Sequence, residues 1–162
     1  MDFTVTQRFA APVDRVVTLY GHADFFTSLP ATDKLATPEL VSHDVTGSTV
    51  ELQLRYRFIG DLPSAVLRFV DPSNLTWVER TTIDTASGRS TSVLVPDTYP
   101  DLLKASADAV FASVDDGATR TVRGTVTVPV PLLGGKVEGV IVEGLEQYLH
   151  AEAQAAASHL GD

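Results

Sequence analysis

The sequence predicts one α+β domain, built from a strand, two short helices, an antiparallel run of about six strands and a long C-terminal helix. Three observations carry that reading. Residues 48–58 alternate apolar and polar side chains without a break, the mark of a strand buried on one face. Gly47, Ser87-Gly88 and Asp116-Gly117 punctuate the middle of the chain as hairpin turns, because these residue types tolerate positive φ. Beyond Gly135 the period changes to that of a helix and holds to about Leu160. The 162 residues suit a single domain, since domains cluster at about 100–150 residues. A chain of this size hides roughly two-thirds of its unfolded surface.

The first strand runs from Asp2 to Ala10, with Phe3, Val5, Gln7 and Phe9 on one face and Asp2, Thr4, Thr6 and Arg8 on the other. Pro12 suits the first helical position and Asp14 the first turn. Val13, Val16, Val17 and Tyr20 then recur at helical spacing until Gly21. A second short helix covers His22 to Leu29, carrying Phe25 and Phe26, and Pro30 ends it. A strand at Glu39–Val45 leads through Gly47 to the strand at Ser48–Phe58, where Val50, Leu52, Leu54, Tyr56 and Phe58 share a face. Leu62–Val70 fits either a strand or a short helix. Leu75–Asp84 pairs with Ser90–Val95, and Ala107–Val114 with Thr119–Val128. Pro129 and Pro131 end the last strand. In the final helix Val137, Val140, Ile141, Gly144, Leu145, Tyr148, Leu149, Ala155 and Ala156 form one apolar face, opposite Glu143, Glu146, Gln147, His150 and Gln154. A helix of about 27 residues is roughly 40 Å long at 1.5 Å per residue and must lie across the sheet to hide that face.

Composition removes several function classes. Hydrophobic residues make up 44% and charged residues 20%, which excludes a disordered chain. Lys+Arg 12 against Asp+Glu 21 gives a net charge of −9. That balance opposes a nucleic-acid partner, which needs a basic face, and strong electrostatic attraction to an anionic membrane. With Cys 0 there is no disulfide frame, thiolate zinc site or Cys nucleophile. The start, Met1-Asp2-Phe3, lacks a basic n-region and an apolar h-region, and no apolar run approaches the length of about 18 of a membrane span. The chain therefore reads as soluble and cytoplasmic, with no integral membrane segment.

Two local patterns carry a family likeness. One is a strand ending in an aromatic residue followed by Ala-Pro-x-x-x-Val, here Phe9-Ala10-Ala11-Pro12-Val13-Asp14-Arg15-Val16. The other is Pro131-Leu132-Leu133-Gly134-Gly135-Lys136-Val137-Glu138, a Pro-Leu-x-Gly segment between a strand and the long helix. With these, the whole chain resembles the START-like, or SRPBCC, superfamily of birch-pollen-allergen proteins, polyketide cyclases and aromatases, and lipid carriers. The stretch from Arg123-Gly124-x-Val126 to Lys136-x-Glu138 is similar to an uncharacterised, mainly actinobacterial branch. The nine Arg against three Lys agree with a high-GC genome. The resemblance implies a helix-grip fold over residues 1–162, a twisted antiparallel sheet of six to seven strands curled around the C-terminal helix. It also implies an apolar cavity between them, and no cofactor.

The residues placed to line such a cavity are Tyr56, Phe58, Trp77, Glu79, Phe111, Ile141, Gly144, Tyr148 and Glu152. Gly144 and the helix alanines make the helix slim and leave volume open, unless Phe58, Trp77 and Phe111 plug it. Glu152 falls within the apolar helix face. Desolvated there, it would serve as an acid or base; the preferred expectation is that the helix end overhangs the sheet and Glu152 reaches water. Glu79 shares a side with Leu75, Trp77 and Ile83, and that side faces either the pocket or solvent at a sheet edge.

Other motifs carry no chemistry. His22, His43, His150 and His159 form no ligand-spaced cluster, so no metal site is expected. A Gly-x-Ser-x-Gly elbow is missing. Gly134-Gly135-Lys136 lacks the earlier glycine and following Ser/Thr of a phosphate loop. The Pro-Leu-x-Gly-Gly loop either borders the cavity mouth or only turns the chain. Two functional readings follow from the resemblance, with a protein-interaction module as a third. The preferred one is binding or transport of a hydrophobic or amphipathic molecule such as a lipid, isoprenoid, quinone or polyketide. The other is a cyclase, aromatase or dehydratase in which Glu79, Tyr148 or Glu152 moves protons.

Overall fold

The computed structural model describes residues 1–161. In chain order the elements are β1 (Asp2–Phe9), α1 (Val13–Tyr20), α2 (Ala23–Thr27), β2 (Glu39–Thr46), β3 (Thr49–Arg57), β4 (Thr76–Asp84), β5 (Arg89–Pro96), β6 (Lys104–Val114), β7 (Gly117–Thr127) and α3 (Gly134–Leu160). The seven strands form one antiparallel sheet in the order β1-β7-β6-β5-β4-β3-β2, curled around α3. This is the α+β helix-grip architecture expected from the sequence. The alternation in β1 and β3 becomes alternating burial, with Phe3, Val5, Gln7 and Phe9 inside and Asp2, Thr4, Thr6 and Arg8 outside.

Leu62–Val70 is not a strand. β3 pairs directly with β4 from Thr49↔Asp84 to Arg57↔Thr76, leaving no place between them for the connection to pair as a strand. It closes instead into 3-10 turns at Val66–Arg68 and Pro72–Asn74. β6 begins at Lys104 rather than Ala107, because Lys104, Ala105 and Ser106 find partners in Thr127, Val126 and Thr125. β2 is a sheet edge exposed along its length, interrupted between Leu40 and Ser42 by a register shift that blunts edge-to-edge pairing.

Two hydrophobic clusters fill the interior. The larger joins α1 and α2 to β3, Trp77, Phe111, Tyr148 and Ala156. The smaller joins Phe3, Val5, Ala105, Ala109, Val122 and Val126 to Val142 and Leu149. On α3 the expected face is buried at Gly144, Tyr148, Leu149 and Ala156, whereas Val137, Val140, Ile141 and Leu145 are only half-buried. On the side of Val137, Ile141 and Leu145 the helix thus stands off the sheet, while Val142 packs against β1 and β7.

Backbone fixes Gly117 and Gly134 by space, the latter because a Cβ would overlap the Val128 carbonyl oxygen. Gly117, in the turn from β6 to β7, has φ +154, and a Cβ there would overlap the Phe9 carbonyl oxygen. Gly47 sits at φ +60 in the open. Gly117→Ala is expected to destabilise the domain by about 1–3 kcal/mol in urea denaturation, as overpacking does. Gly47→Ala is expected to cost only the left-handed backbone penalty, roughly 1–2 kcal/mol.

Candidate functional site

Between α3 and the concave face of the sheet lies a cavity of about 460 Å³ with almost wholly apolar walls. Trp77, Leu94 and Pro96 form its floor on β4 and β5; Val137, Ile141, Gly144 and Leu145 form its roof on α3. Leu62, Val66, Phe69 and Val70 close one side, and Val128–Pro131 with Leu133 another. Phe69 is 64% exposed where the lining meets solvent, and Leu132, in the Pro-Leu loop that supplies the second side, is fully exposed at φ 66. The cavity exists because the curled sheet and α3 diverge here, and the intervening loops bring large apolar side chains only to the rim.

Along the same concave face is a second, smaller chamber of about 70 Å³, whose apolar walls also carry several polar side chains. Arg120 on β7 projects into it. Its Nη1 donates to Glu152 Oε1 and to Gln7 Oε1, each at 2.8 Å. Gln7 Nε2 donates to the Leu149 carbonyl at 2.6 Å and to Glu152 Oε1 at 3.2 Å. The guanidinium carbon lies 4.4 Å from the centre of the Tyr20 ring, a cation–π contact, and Tyr20 Oη donates to Gln7 Oε1 at 3.4 Å. Arg120 Nε is buried without a hydrogen-bond partner. Across the chamber, Thr81 Oγ1 lies 3.1 Å from Glu79 Oε1 and 2.8 Å from Ser92 Oγ.

Burial pushes the Glu79 carboxyl above the ordinary glutamate value of 4.5, and the nearby Glu152 charge adds to the effect against Thr81 and Arg120. Among the described residues Glu79 forms no salt bridge, in contrast to Glu152. Burial likewise lifts the phenols of Tyr20, Tyr56 and Tyr148 well above 10.0, so they are neutral hydroxyls at physiological pH. For Arg120 burial acts downward, but Glu152 and the other acidic groups outweigh it and keep the guanidinium charged.

The nine residues expected around one pocket divide between two compartments. Phe58, Trp77, Ile141 and Gly144 line the large cavity. Glu79, Phe111, Tyr148 and Glu152 line the smaller chamber. Tyr56 lines neither; it is buried between them, stacked on Trp77 at 6.1 Å and sharing a 3.0 Å hydroxyl contact with Tyr148. Phe58 and Trp77 wall the cavity instead of plugging it. Glu79 faces inward because it shares its side of β4 with buried Trp77 and Ile83 and lies opposite buried Leu54 on β3.

The expectation that Glu152 reaches water is overturned: it is 3% exposed. Helix α3 does not overhang the sheet at this point, because Arg120 and Gln7 supply a cation and donors that let the carboxylate stay inside. Gly144 does not simply leave open volume either. The Lys34 stem packs over it, with a built Cβ 3.2 Å from Lys34 Cδ, while Lys34 Nζ pairs with Glu143 Oε2 at 3.2 Å. Arg120 is the functional-site residue that the sequence reading passed over. Its parity with Ala118, Val122 and Val126 marked it as inward-facing.

Comparison with solved structures places this geometry in a known fold. The TTHA0849 protein from Thermus thermophilus has a TM-score of 0.66 at 14% identity, covering 99% of this chain and 97% of that one. The di-domain ARO/CYC BexL from the BE-7585A biosynthetic pathway has 0.64 at 16%, covering 100% of this chain and 50% of that one. A Thalictrum flavumn norcoclaurine synthase point mutant, in complex with a transition state analogue, has 0.61 at 16%, covering 99% and 92%. The fold is START-like, of the SRPBCC type. Within that class the chain belongs to the family described as Protein of unknown function (DUF2505), whose model matches residues 4–160. No curated protein matches it. No helix among the described residues is long and apolar enough to cross a membrane.

The chamber's bonding can be tested from both of its carboxylates. Arg120→Met leaves Glu152 as a buried carboxylate without its cation and is expected to cost about 3–5 kcal/mol in chemical denaturation; adding Glu152→Leu to it should restore most of that loss. The second test concerns Glu79, whose folded pKa lies above its unfolded value. The native state therefore holds the proton more tightly, and stability falls as pH rises from the unfolded toward the folded pKa. Glu79→Gln removes this slope: its melting temperature should nearly equal that of the wild type below the unfolded pKa and exceed it increasingly as pH rises from there toward the folded pKa.

Proposed function

We propose that this protein binds or transports a hydrophobic or amphipathic small molecule, of the lipid, isoprenoid, quinone or polyketide kind, as a cytoplasmic protein of an actinobacterium. The observation that carries this reading is the cavity of about 460 Å³. Small-molecule sites typically measure about 300–1,000 Å³ and are mostly apolar with a few placed polar groups. In this reading Phe58, Trp77, Ile141 and Gly144 touch the body of the ligand. Tyr56 and Tyr148 hold the inner wall, and Glu79, Phe111 and Glu152 stand at the polar end. The occurrence of an ARO/CYC protein and of norcoclaurine synthase on the same fold supports enclosure of small molecules by this scaffold.

A cyclase, aromatase or dehydratase is the second reading, favoured by Glu79, Tyr148 and Glu152 lining one chamber. The hydrogen bonding weighs against it. The hydroxyls of Tyr56 and Tyr148 are engaged with each other, and Glu152 is held by Arg120 and Gln7. That ties up Glu152 and one of the two phenolic protons, leaving Glu79 as the inward-facing carboxyl not held in an ion pair among the described residues.

Non-denaturing mass spectrometry of the purified protein, followed by extraction, tests the binding reading directly. A stoichiometric apolar molecule supports it; an empty protein that also fails to take up apolar probes overturns it. Gly144→Phe places an aromatic ring in the roof, and the Lys34 stem it meets is flexible enough to move aside. It is expected to lower the affinity for an apolar fluorescent probe about tenfold or more. The unfolding midpoint should change by less than the roughly 2–4 °C that 1 kcal/mol represents at this size.

A further inference from the structure

The two compartments share Leu94 on β5 and Leu145 on α3 as walls. On β4, Trp77 faces the cavity and Glu79, the next residue on the same face, faces the chamber. They are one strand repeat apart, about 7 Å at roughly 3.4 Å per residue. Leu94 lies directly across from Glu79 on the neighbouring strand. A molecule in the cavity whose end reaches past Leu94 would meet Glu79 there. With about 70 Å³ available, that end is small, since a water takes up about 30 Å³ of liquid.

The chamber's polar groups restrict the chemistry of that head. Three charged groups face it: the Glu79 carboxyl, and the Arg120 guanidinium already matched by Glu152. Asp108 also borders it, but is exposed on the other side of β6. An incoming carboxylate would meet two acidic residues against one neutralised cation, and like charges in such a site are strongly disfavoured. An ammonium would sit beside the guanidinium and give Arg120 Nε, buried without an acceptor, nothing to donate to. A hydroxyl fits both demands: its proton goes to Glu79 and its oxygen accepts from Arg120 Nε. It also suits Glu79 in either protonation state, because a hydroxyl both donates and accepts.

We infer that the bound molecule carries a neutral hydroxyl, as an alcohol, phenol or enol, at its inner end, and that this group bridges Glu79 and Arg120. The inference rests on the binding reading above and narrows it to hydroxyl-headed ligands. Displacement of a fluorescent apolar probe by a chain-matched series tests it at neutral pH, using dodecanol, its methyl ether, dodecylamine and dodecanoate. Dodecanol is expected to bind about tenfold tighter than the ether, the worth of one good hydrogen bond, and tighter than the amine and the acid. In Glu79→Leu the alcohol should fall to the level of the ether while the ether keeps its affinity. Equal affinity for alcohol and ether, or preference for the amine or the acid, would overturn the inference and leave the binding reading standing. Failure of every member to displace a bound probe would overturn the inference alone, whereas failure of the probe itself to bind would overturn both. Should Glu79→Leu not fold, the ranking by the wild-type protein decides alone.

Discussion

Arg120 and Glu152 meet at 2.8 Å inside the domain, and this contact limits where the long helix can lie. Both ions have given up water, so the pair holds only while their remaining donors and acceptors are also engaged. β1 supplies Gln7, α1 supplies the Tyr20 ring, and α3 supplies the Leu149 carbonyl that anchors Gln7. Four elements distant in sequence are thereby coupled through one set of polar contacts. Sliding α3 by a turn along the sheet would separate the charges and leave both buried alone, which an apolar helix face by itself would not forbid. With the helix pinned at Glu152, its side bearing Val137, Ile141 and Leu145 is free to stand away from the sheet and roof a cavity.

The interior is consequently sorted by polarity along α3. From Val137 to Leu145 the helix faces open apolar space; from Tyr148 to Glu152 it faces bonded polar groups. The partition is made by aromatic residues. Tyr56 stacks on Trp77 and meets Tyr148 edge-on at 5.5 Å, so the rings supply apolar bulk. Their hydroxyls share one hydrogen bond at 3.0 Å. Lys34 plays a related part at the roof, laying its aliphatic stem over Gly144 while its charge pairs with Glu143 outside.

Much of this was legible in the chain. Strict alternation in β1 and β3, the hairpin turns at Gly47, Gly88 and Gly117, and the helical period beyond Gly135 specify elements by local pattern alone, and the elements appear. The sequence also placed Gln7 on the buried face and Glu152 on the apolar side of α3. What local pattern could not reveal was that these two polar residues are inside together. The cation that permits it, Arg120, is supplied from β7, and its role depends on strand neighbours far away in sequence. The cavity walls were equally hard to foresee. Leu62, Phe69, Val130 and Leu133 lie in connections without a period, and where a loop carries its side chains depends on the surfaces it crosses.

The connection from β3 to β4 is tied together very differently from the sheet it spans. Between Pro63 and Asn74 its backbone-to-backbone bonds close short turns, Val66 to Pro63, Phe69 and Val70 to Val66, Asn74 to Asp71, and Asp71 N–H donates outward to Tyr99 Oη. The strands on either side are locked to each other along their full length. Segments held by such local bonds open at much lower free energy than the sheet beneath them. Separate sets of bonds thus govern the rate at which this side of the cavity parts and the overall resistance to unfolding. A domain built this way can open along residues 62–70 at lower cost than it unfolds, which makes this side of the cavity its most readily parted wall.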